Sequence, residues 1–117
     1  MRTEYILNED QEKWLTALES GEYKQITGLL FGRGGFCCLG VGCVALGMES
    51  VEIDGVGDLG CSIETRMIES RLKLRTRNGG SRGEIAVSLI GLNDDCDFDF
   101  KEIAAVIRDD PSVYFHE

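Results

Sequence analysis

The side chains best suited to binding chemistry are the basic ones concentrated between residues 66 and 82. That segment carries a net charge of +5 in a chain whose total is −9, so the remaining residues carry −14. Its six cations are Arg66, Arg71, Lys73, Arg75, Arg77 and Arg82. Because the arginine guanidinium matches phosphate oxygens, the basic segment predicts a phosphate-bearing ligand. The alternative is that acidic segments of the same chain, or of a partner subunit, neutralise it.

The cysteines do not form a catalytic or metal-binding pattern. The chain has five cysteines and one histidine, His116, and it contains no CxxC knuckle, no GxSxG and no HxxxH. Cys37 and Cys38 are adjacent, so their side chains are expected to point in different directions. We interpret the cysteines as small buried hydrophobic residues with free thiols. The prediction is that the protein is not an enzyme and binds neither metal nor cofactor.

An acidic run near the C-terminus resembles the start of a calcium loop. Asp95, Asp97 and Asp99 have the alternating spacing of an EF-hand loop. However, Phe100 stands where that loop needs glycine, and Val106 stands where it needs a bidentate glutamate. The spacing therefore does not predict a calcium site.

The longest apolar run of the chain, residues 36–47, follows a glycine-rich turn at residues 32–35. The run predicts a buried central helix over residues 36–46 that ends at Gly47. A glycine-rich turn before a helix can hold phosphate on backbone amides, and Arg33 would add a cation there. The alternative is a plain tight turn, because no complete phosphate-binding motif is present.

Two amphipathic helices are predicted on either side of this run. Asn8 is a good N-cap for a helix over residues 8–20, Gln11 completes a capping box, and an apolar stripe includes Trp14. Asp99 and Glu102 predict a second capping box at the start of the last helix, which ends before Pro111. Tyr114 and Phe115 are expected to fold back onto the core.

Weaker patterns predict the remaining elements. Ser62 caps a helix over residues 63–71 with Ile63, Met67 and Ser70 on one face, which Ile68 and Leu72 extend. Alternation over residues 23–31 predicts an extended segment interrupted at Gly28, and residues 51–56 are a candidate short strand. Alternation over residues 72–77 predicts a half-buried strand that turns at residues 78–79. Its partner, residues 84–92, is a strand or a short helix.

Together these elements predict an α+β fold, a single domain over residues 1–117 with a small antiparallel sheet packed against three or four helices. A net charge of −9 argues against binding to polymeric nucleic acid or to anionic membranes. The apolar run is too short to span a bilayer, which takes about 20 residues. Residues 1–5 lack the apolar segment of a secretory signal, so we expect a reduced, cytosolic protein.

Several motifs resemble those of a group of small phage-encoded proteins. The motifs are Trp14, Tyr-Lys-Gln at residues 23–25, Phe-Cys-Cys-Leu-Gly-Val-Gly-Cys at 36–43, Leu-Asn-Asp at 92–94 and Phe-x-Glu-Ile-Ala-x-Val-Ile at 100–107. The shared pattern is W…YKQ…FCCLGVxC…LND…FxEIAxxI, and it extends over most of the chain. The group is similar to the first family of phage Thoeris anti-defence sponges.

That resemblance implies a non-enzymatic, homo-oligomeric protein, a dimer or hexamer, that acts in the host cytoplasm. Such sponges sequester the cyclic ADP-ribose isomers made by host TIR-domain enzymes, and some also bind cyclic oligonucleotides of the CBASS system. By resemblance, Asn93 is a ligand-contacting residue and Arg108 matches an arginine of the final helix. Lys24, Gln25 and Arg33 are expected to face the same pocket.

The sequence departs from this family in its middle. Gly83 stands where an aromatic residue would stack on a base, so Phe36 or Tyr23 is expected to substitute. Arg75, Arg77 and Arg82 are further predicted ligand-binding residues. Two alternatives stay open, namely an acidic protein-binding inhibitor such as an anti-CRISPR and an enzyme that degrades such messengers.

Overall fold

Three of the helices begin where the sequence supplies capping side chains, at Asn8, Ser62 and Asp99. The computed structural model describes residues 5–57, 59–60, 62–75, 89–94 and 98–116. The elements are α1 (Glu9–Glu19), β1 (Phe31–Gly32), β2 (Gly35–Phe36), α2 (Cys38–Ala45), α3 (Ile63–Leu72), α4 (Leu89–Asp94) and α5 (Phe100–Asp109). Two 3₁₀ turns, Ser50–Ile53 and Pro111–Val113, complete the described part of the chain.

Helix α1 starts with the predicted capping box. The Asn8 side chain accepts a hydrogen bond from the Gln11 amide at 2.7 Å, and the Gln11 side chain accepts one from the Asn8 amide at 2.7 Å. The predicted apolar stripe, which includes Trp14, is buried. Asp99 and Glu102 form the same reciprocal cap at α5, which is also confirmed.

Helix α2 lies at the centre of the core and contacts α1, α3 and α4. It begins at Cys38, two residues later than predicted, because both backbone groups of Phe36 bond elsewhere. The Phe36 amide donates to the Lys24 carbonyl, and its carbonyl accepts from the Ile26 amide, both at 2.8 Å. The Trp14 indole donates to the Cys38 carbonyl at 2.9 Å, which joins α1 to α2.

The glycine-rich turn is the tip of a β-hairpin. Gly32 pairs with Gly35 and Phe31 with Phe36 in antiparallel register. Arg33 and Gly34 both have positive φ, 51° and 76°, as a two-residue type I′ turn requires. Of the two alternatives, the structure therefore shows the tight turn, because the glycines join two strands and α2 starts only after β2.

Two predictions between residues 50 and 72 are wrong. Residues 51–56 do not form a strand, since Ser50–Ile53 is a 3₁₀ turn. Ser62 caps α3 and the predicted Ile68 and Leu72 are buried, but Ile63 and Met67 are 74% and 58% exposed. The buried row of α3 includes Thr65, whose hydroxyl donates to the Ser62 carbonyl at 3.1 Å. That bond lets Thr65 enter the core with Ile68 and Leu72, so α3 is rotated away from the Ile63 and Met67 part of the predicted face.

Of the strand predicted over residues 72–77, the described part, residues 72–75, forms only a single bridge. Leu72 ends α3, and Lys73 takes the left-handed conformation with φ 55°. Leu74 then forms an isolated antiparallel bridge with Phe115. The expected C-terminal fold-back is confirmed, because Phe115 is fully buried and its ring centroid lies 6.0 Å from that of Trp14. Residues 76–88, including the predicted turn at 78–79, lie outside the described residues.

The α+β fold class is confirmed. The described residues form a two-stranded antiparallel sheet and five α-helices around a shared hydrophobic core. Residues 89–94 form a short helix, so the later part of the predicted 84–92 segment is helical. No helix in the described part of the chain has the length and apolar character needed to cross a membrane.

Candidate functional site

A pair of side-chain amides connects the extended segment before β1 to α4. Gln25 Nε2 donates to Asn93 Oδ1 at 2.8 Å and to the Phe98 carbonyl at 2.8 Å. Gln25 belongs to the extended segment that pairs with Phe36 through a single parallel bridge. Thus two of the predicted site residues, 68 positions apart in the chain, are in direct contact.

The Asn93 amide has its hydrogen-bonding groups occupied. Besides accepting from Gln25, it donates to the Ile26 carbonyl at 2.8 Å and to the Asp94 carboxylate at 2.8 Å. Only 3% of Asn93 is exposed. A buried amide with these bonds fixes the position of the backbone it binds, so Asn93 holds residues 25–26 against α4.

Two recesses open beside this amide pair. The first has a volume of about 240 Å³ and the second about 250 Å³. The first is lined by Gln25, Ile26, Thr27, Asn93, Phe98 and Asp99. The second is lined by Leu18, Gly21, Tyr23, Gln25, Asp99, Phe100 and Lys101. Since both contain Gln25 and Asp99, these two side chains form a common wall.

Aromatic rings lie next to the recesses. Tyr23 lines the second recess, and its ring meets that of Phe36 edge to face with centroids 5.5 Å apart. Phe31 extends the group, with its centroid 4.8 Å from that of Phe36. Both Tyr23 and Phe36 are half-buried. The two residues expected to substitute for the missing stacking residue are therefore in contact with each other.

Two of the predicted cations lie outside the recess linings. Lys24 is exposed and its backbone carbonyl accepts from the Phe36 amide at 2.8 Å, but Lys24 lines neither recess. Arg33 reaches from the hairpin tip to the Thr27 carbonyl, 3.5 Å from its guanidinium, and Thr27 lines the first recess. Of the predicted set, Gln25 and Asn93 line the recesses, whereas Lys24, Arg33 and Phe36 contact the surrounding segment without lining either recess.

Arg108 is not part of this region. It lines neither recess, and its guanidinium binds two carboxylates of α1, Glu19 at 2.7 Å and Glu12 at 2.8 Å. The hydrogen bond with Glu19, followed by that with Glu12, raises the pKa of Arg108. The side chain joins α5 to α1, so we leave it out of the candidate site.

The described part of the basic segment is engaged internally. Arg71 forms two hydrogen bonds with the Asp10 carboxylate, both at 3.1 Å, and these hold the pKa of that carboxyl below its ordinary value. Arg75, a predicted site residue, donates to the Ser112 carbonyl at 2.8 Å and lines neither recess. Neutralisation within the chain accounts for Arg71. Arg77 and Arg82 lie outside the described residues.

The thiols of the apolar run are buried, as predicted. Burial raises the pKa of Cys37 from 9.0 to about 11 and that of Cys43 from 9.0 to about 12, and it also raises the pKa of Cys38. Thiols in this state are poor nucleophiles. Within the described ranges, no group of three or more His, Cys, Asp or Glu residues is placed to hold a metal ion.

Residues 7–53 match the model of a family described as a domain of unknown function, DUF8296. No curated protein and no solved structure matches the chain. The matched stretch contains α1, the hairpin and α2, and therefore one side of the recesses. Gln25 and Phe36 lie inside it, whereas Asn93 and Asp99 lie beyond it.

Sequence reasoning misses several residues that line the recesses. It identifies Asp99 only as a helix cap and as part of the EF-hand-like spacing, and it does not single out Thr27, Phe98 or Lys101. Asp99 and Gln25 are 74 positions apart in the sequence, and no local pattern predicts that they line the same recesses. The one available signal is the capping box, which fixes the Asp99 carboxylate at the exposed start of α5.

Proposed function

We propose that this protein is a phage anti-defence sponge that binds cyclic nucleotide immune signals without cleaving them. The supporting observation is that Gln25 and Asn93 bind each other in the wall of the first recess, with Arg33 bonded to Thr27 and Phe36 packed against Tyr23 beside it. Gln25, Asn93 and Arg33 are residues to which the sequence resemblance assigns ligand contacts, and Tyr23 and Phe36 are the rings expected to stack on a base. Amides, aromatic rings and cations are what a nucleotide needs for hydrogen bonding, stacking and charge neutralisation.

Each group would have a separate role in the complex. The edge-to-face pair of Tyr23 and Phe36 offers an apolar surface for a base, and stacking on an aromatic ring contributes about 1–3 kcal/mol. Lys24, Arg33 and Lys101 would neutralise phosphate at the rim. Asn93 acts as a positioning residue, because its bonds with Gln25 and Ile26 keep the recess wall in place.

Capture alone accounts for the proposed activity. The proposed capture uses only reversible contacts, and none of the three described thiols lines either recess. A protein in excess over the messenger then lowers the free messenger concentration by mass action. The ligands proposed are cyclic ADP-ribose isomers, and also cyclic oligonucleotides, in the host cytoplasm.

We also propose that the sponge works as a homo-oligomer, a dimer or hexamer. The support is the pair Ile63 and Met67, which lie one turn apart on α3 and are 74% and 58% exposed. Exposed apolar side chains of this size are favourable in an interface. Light scattering after size exclusion should give a mass above the 12.9 kDa of one chain. A uniformly monomeric protein at micromolar concentration would remove this part of the proposal.

Calorimetry tests the binding proposal directly. Purified protein is titrated with ribose-linked cyclic ADP-ribose isomers, with cyclic di-AMP and with a cyclic trinucleotide, and at least one should bind with a Kd in the micromolar range or below. Denaturing the complex should release the messenger intact, which excludes an enzyme that degrades it. Absence of binding to every one of these probes would refute the proposal.

Two variants connect the binding to the recess. Tyr23→Leu removes the ring, and Lys24→Ala removes a rim cation, so each should weaken binding about tenfold. Lys13→Ala is the matched control, because Lys13 is exposed on α1 and pairs only weakly with Glu9 at 3.6 Å. Equal weakening by the control variant would place the ligand elsewhere.

A protein-binding inhibitor is the second candidate. A third recess of about 560 Å³ follows α1, and three carboxylates, those of Glu9, Glu12 and Glu22, line it. Lys13 also lines this recess and Arg108 pairs with Glu12, so Glu9 and Glu22 are the carboxylates through which this surface favours a basic protein partner. Affinity capture from host lysate should then retain one effector protein, and the double variant Glu9→Lys, Glu22→Lys should lose it.

A further inference from the structure

The common wall of the two recesses has a definite hydrogen-bonding polarity. Gln25 Nε2 is identified by its neighbours, because the Phe98 carbonyl that it meets at 2.8 Å can only accept. Its two N–H groups are directed to Phe98 and Asn93. The group that Gln25 has left for a bound molecule is therefore its carbonyl oxygen, an acceptor.

Asp99 presents an acceptor as well. One carboxylate oxygen accepts from the Glu102 amide at 2.7 Å as the N-cap of α5. The structure shows no hydrogen bond from a described residue to the second oxygen, and the side chain is exposed at the wall of both recesses. Both residues that the recesses share thus offer acceptors to a ligand.

The recess volumes indicate that a ligand must touch this wall. Ligand pockets commonly exceed about 300 Å³, and each recess, at about 240 and 250 Å³, is smaller. A nucleotide held here with most of its surface buried would occupy both, and would therefore cross Gln25 and Asp99.

We infer that Gln25 and Asp99 select ligands carrying an exocyclic amino group on the base that crosses the wall. This inference rests on the proposed function, and it adds the feature of the ligand that the site recognises. An amino group supplies the donors that two acceptors need, whereas a carbonyl at that position would place acceptor against acceptor. A ligand that covers these two acceptors without donating hydrogen bonds to them leaves both unpaired, which is costly. The site should therefore discriminate strongly against ligands without the amino group.

The same wall fixes where the phosphates lie. The Asp99 carboxylate repels phosphate, because like charges a few ångströms apart repel at a protein surface. Lys101, the residue after Phe100, lines the second recess. The ligand is therefore oriented with its amino-bearing base edge on the wall and its phosphates toward Lys101, Lys24 and Arg33.

Asp99→Asn tests the inference without removing the helix cap, since asparagine caps as well as aspartate. Calorimetry compares cyclic di-AMP with cyclic di-IMP, and a ribose-linked cyclic ADP-ribose isomer with its hypoxanthine analogue. The unmodified protein should prefer the amino-bearing member of the pair it binds by about tenfold or more. In the variant the preference should collapse or invert, because the asparagine N–H₂ can face the recess.

Asp110→Asn is the matched control. It makes the same charge change at the other end of α5, where Asp110 accepts from the Ser112 hydroxyl at 2.8 Å, and it should keep the preference. Thermal melts establish that both variants are folded. Equal affinity of the unmodified protein for both members of a pair, or an unchanged preference in Asp99→Asn, overturns the inference while leaving the sponge proposal intact. Failure to bind any of the four probes counts against both.

Discussion

The core around α2 and the wall around Gln25 are both closely packed, but they are specified by different physical means. At α2 the close fit is one of shape, because Gly40 and Gly42 remove side chains where a backbone and an indole approach. At the wall the fit is one of hydrogen bonds, because Asn93 and Gln25 join three separate segments. A surface defined by hydrogen bonds can exchange partners with a ligand, whereas a dry core cannot.

Gly40→Ala should cause the largest loss of stability. A Cβ at this position would lie 1.8 Å from the Leu30 carbonyl oxygen, which is backbone and cannot rotate away. We expect the free energy of unfolding to fall by at least about 3 kcal/mol, as in severe overpacking. Chemical denaturation measures it.

Gly57→Ala serves as the control for that variant. Among the described neighbours, no atom lies within 4 Å of the place that a Cβ would take at Gly57, so the same chemical change should have little effect. If both variants were equally stable, the close approach of Leu30 to α2 would be wrong.

The second-largest expected effect is slow alkylation of the α2 thiols in the native protein compared with the unfolded protein. The pKa of Cys37 rises from 9.0 to about 11, which lowers its thiolate fraction near neutral pH about a hundredfold. Native protein treated with iodoacetamide at pH 8 should leave Cys37, Cys38 and Cys43 unlabelled in peptide mapping, and unfolded protein should be labelled at all three. Rapid native labelling of any of them would show that α2 is not dry.

Asn93→Ala probes the wall. It leaves the Ile26 carbonyl and one Gln25 N–H without partners, so we expect a loss of about 2 kcal/mol. Gln25→Ala removes two bonds but keeps the bond from Asn93 to Ile26, and should cost less. Chemical denaturation of both variants, together with the ligand calorimetry, distinguishes Asn93 as a positioning residue from Gln25 as a residue that contacts the ligand. A larger loss from Gln25→Ala would reverse these assignments.

Local patterns predict those parts of the molecule that local chemistry determines. Both capping boxes, the buried stripe with Trp14 and the C-terminal fold-back are predictable, because neighbouring residues carry the signal. The rotation of α3 is not predictable, since it depends on the Thr65 hydroxyl finding an acceptor within its own cap.

The candidate site is predictable only in part, for a related reason. Gln25 and Asn93 come from sequence resemblance, and their contact spans 68 positions. The role of Arg108 cannot be anticipated, because its partners Glu12 and Glu19 lie on the first helix, about 90 residues earlier. Charge counting identifies the basic segment but cannot show that Asp10 neutralises Arg71.

The smallest expected effect comes from that ion pair, which belongs to neither region and joins α1 to α3 at the surface. The Arg71 hydrogen bonds lower the pKa of Asp10 from 3.8, so the pair stabilises the fold fully above that pH and loses its contribution as the pH falls through the lower, folded-state pKa. Because both side chains are partly exposed, 27% for Asp10 and 41% for Arg71, we expect Asp10→Asn to cost only about 0.5 kcal/mol at pH 7.

Asp54→Asn, at an exposed carboxylate, is the control. Denaturation from pH 7 down to pH 3 should show the cost of Asp10→Asn becoming smaller as the pH falls. A cost that does not change with pH would mean that Asp10 acts through packing rather than through charge.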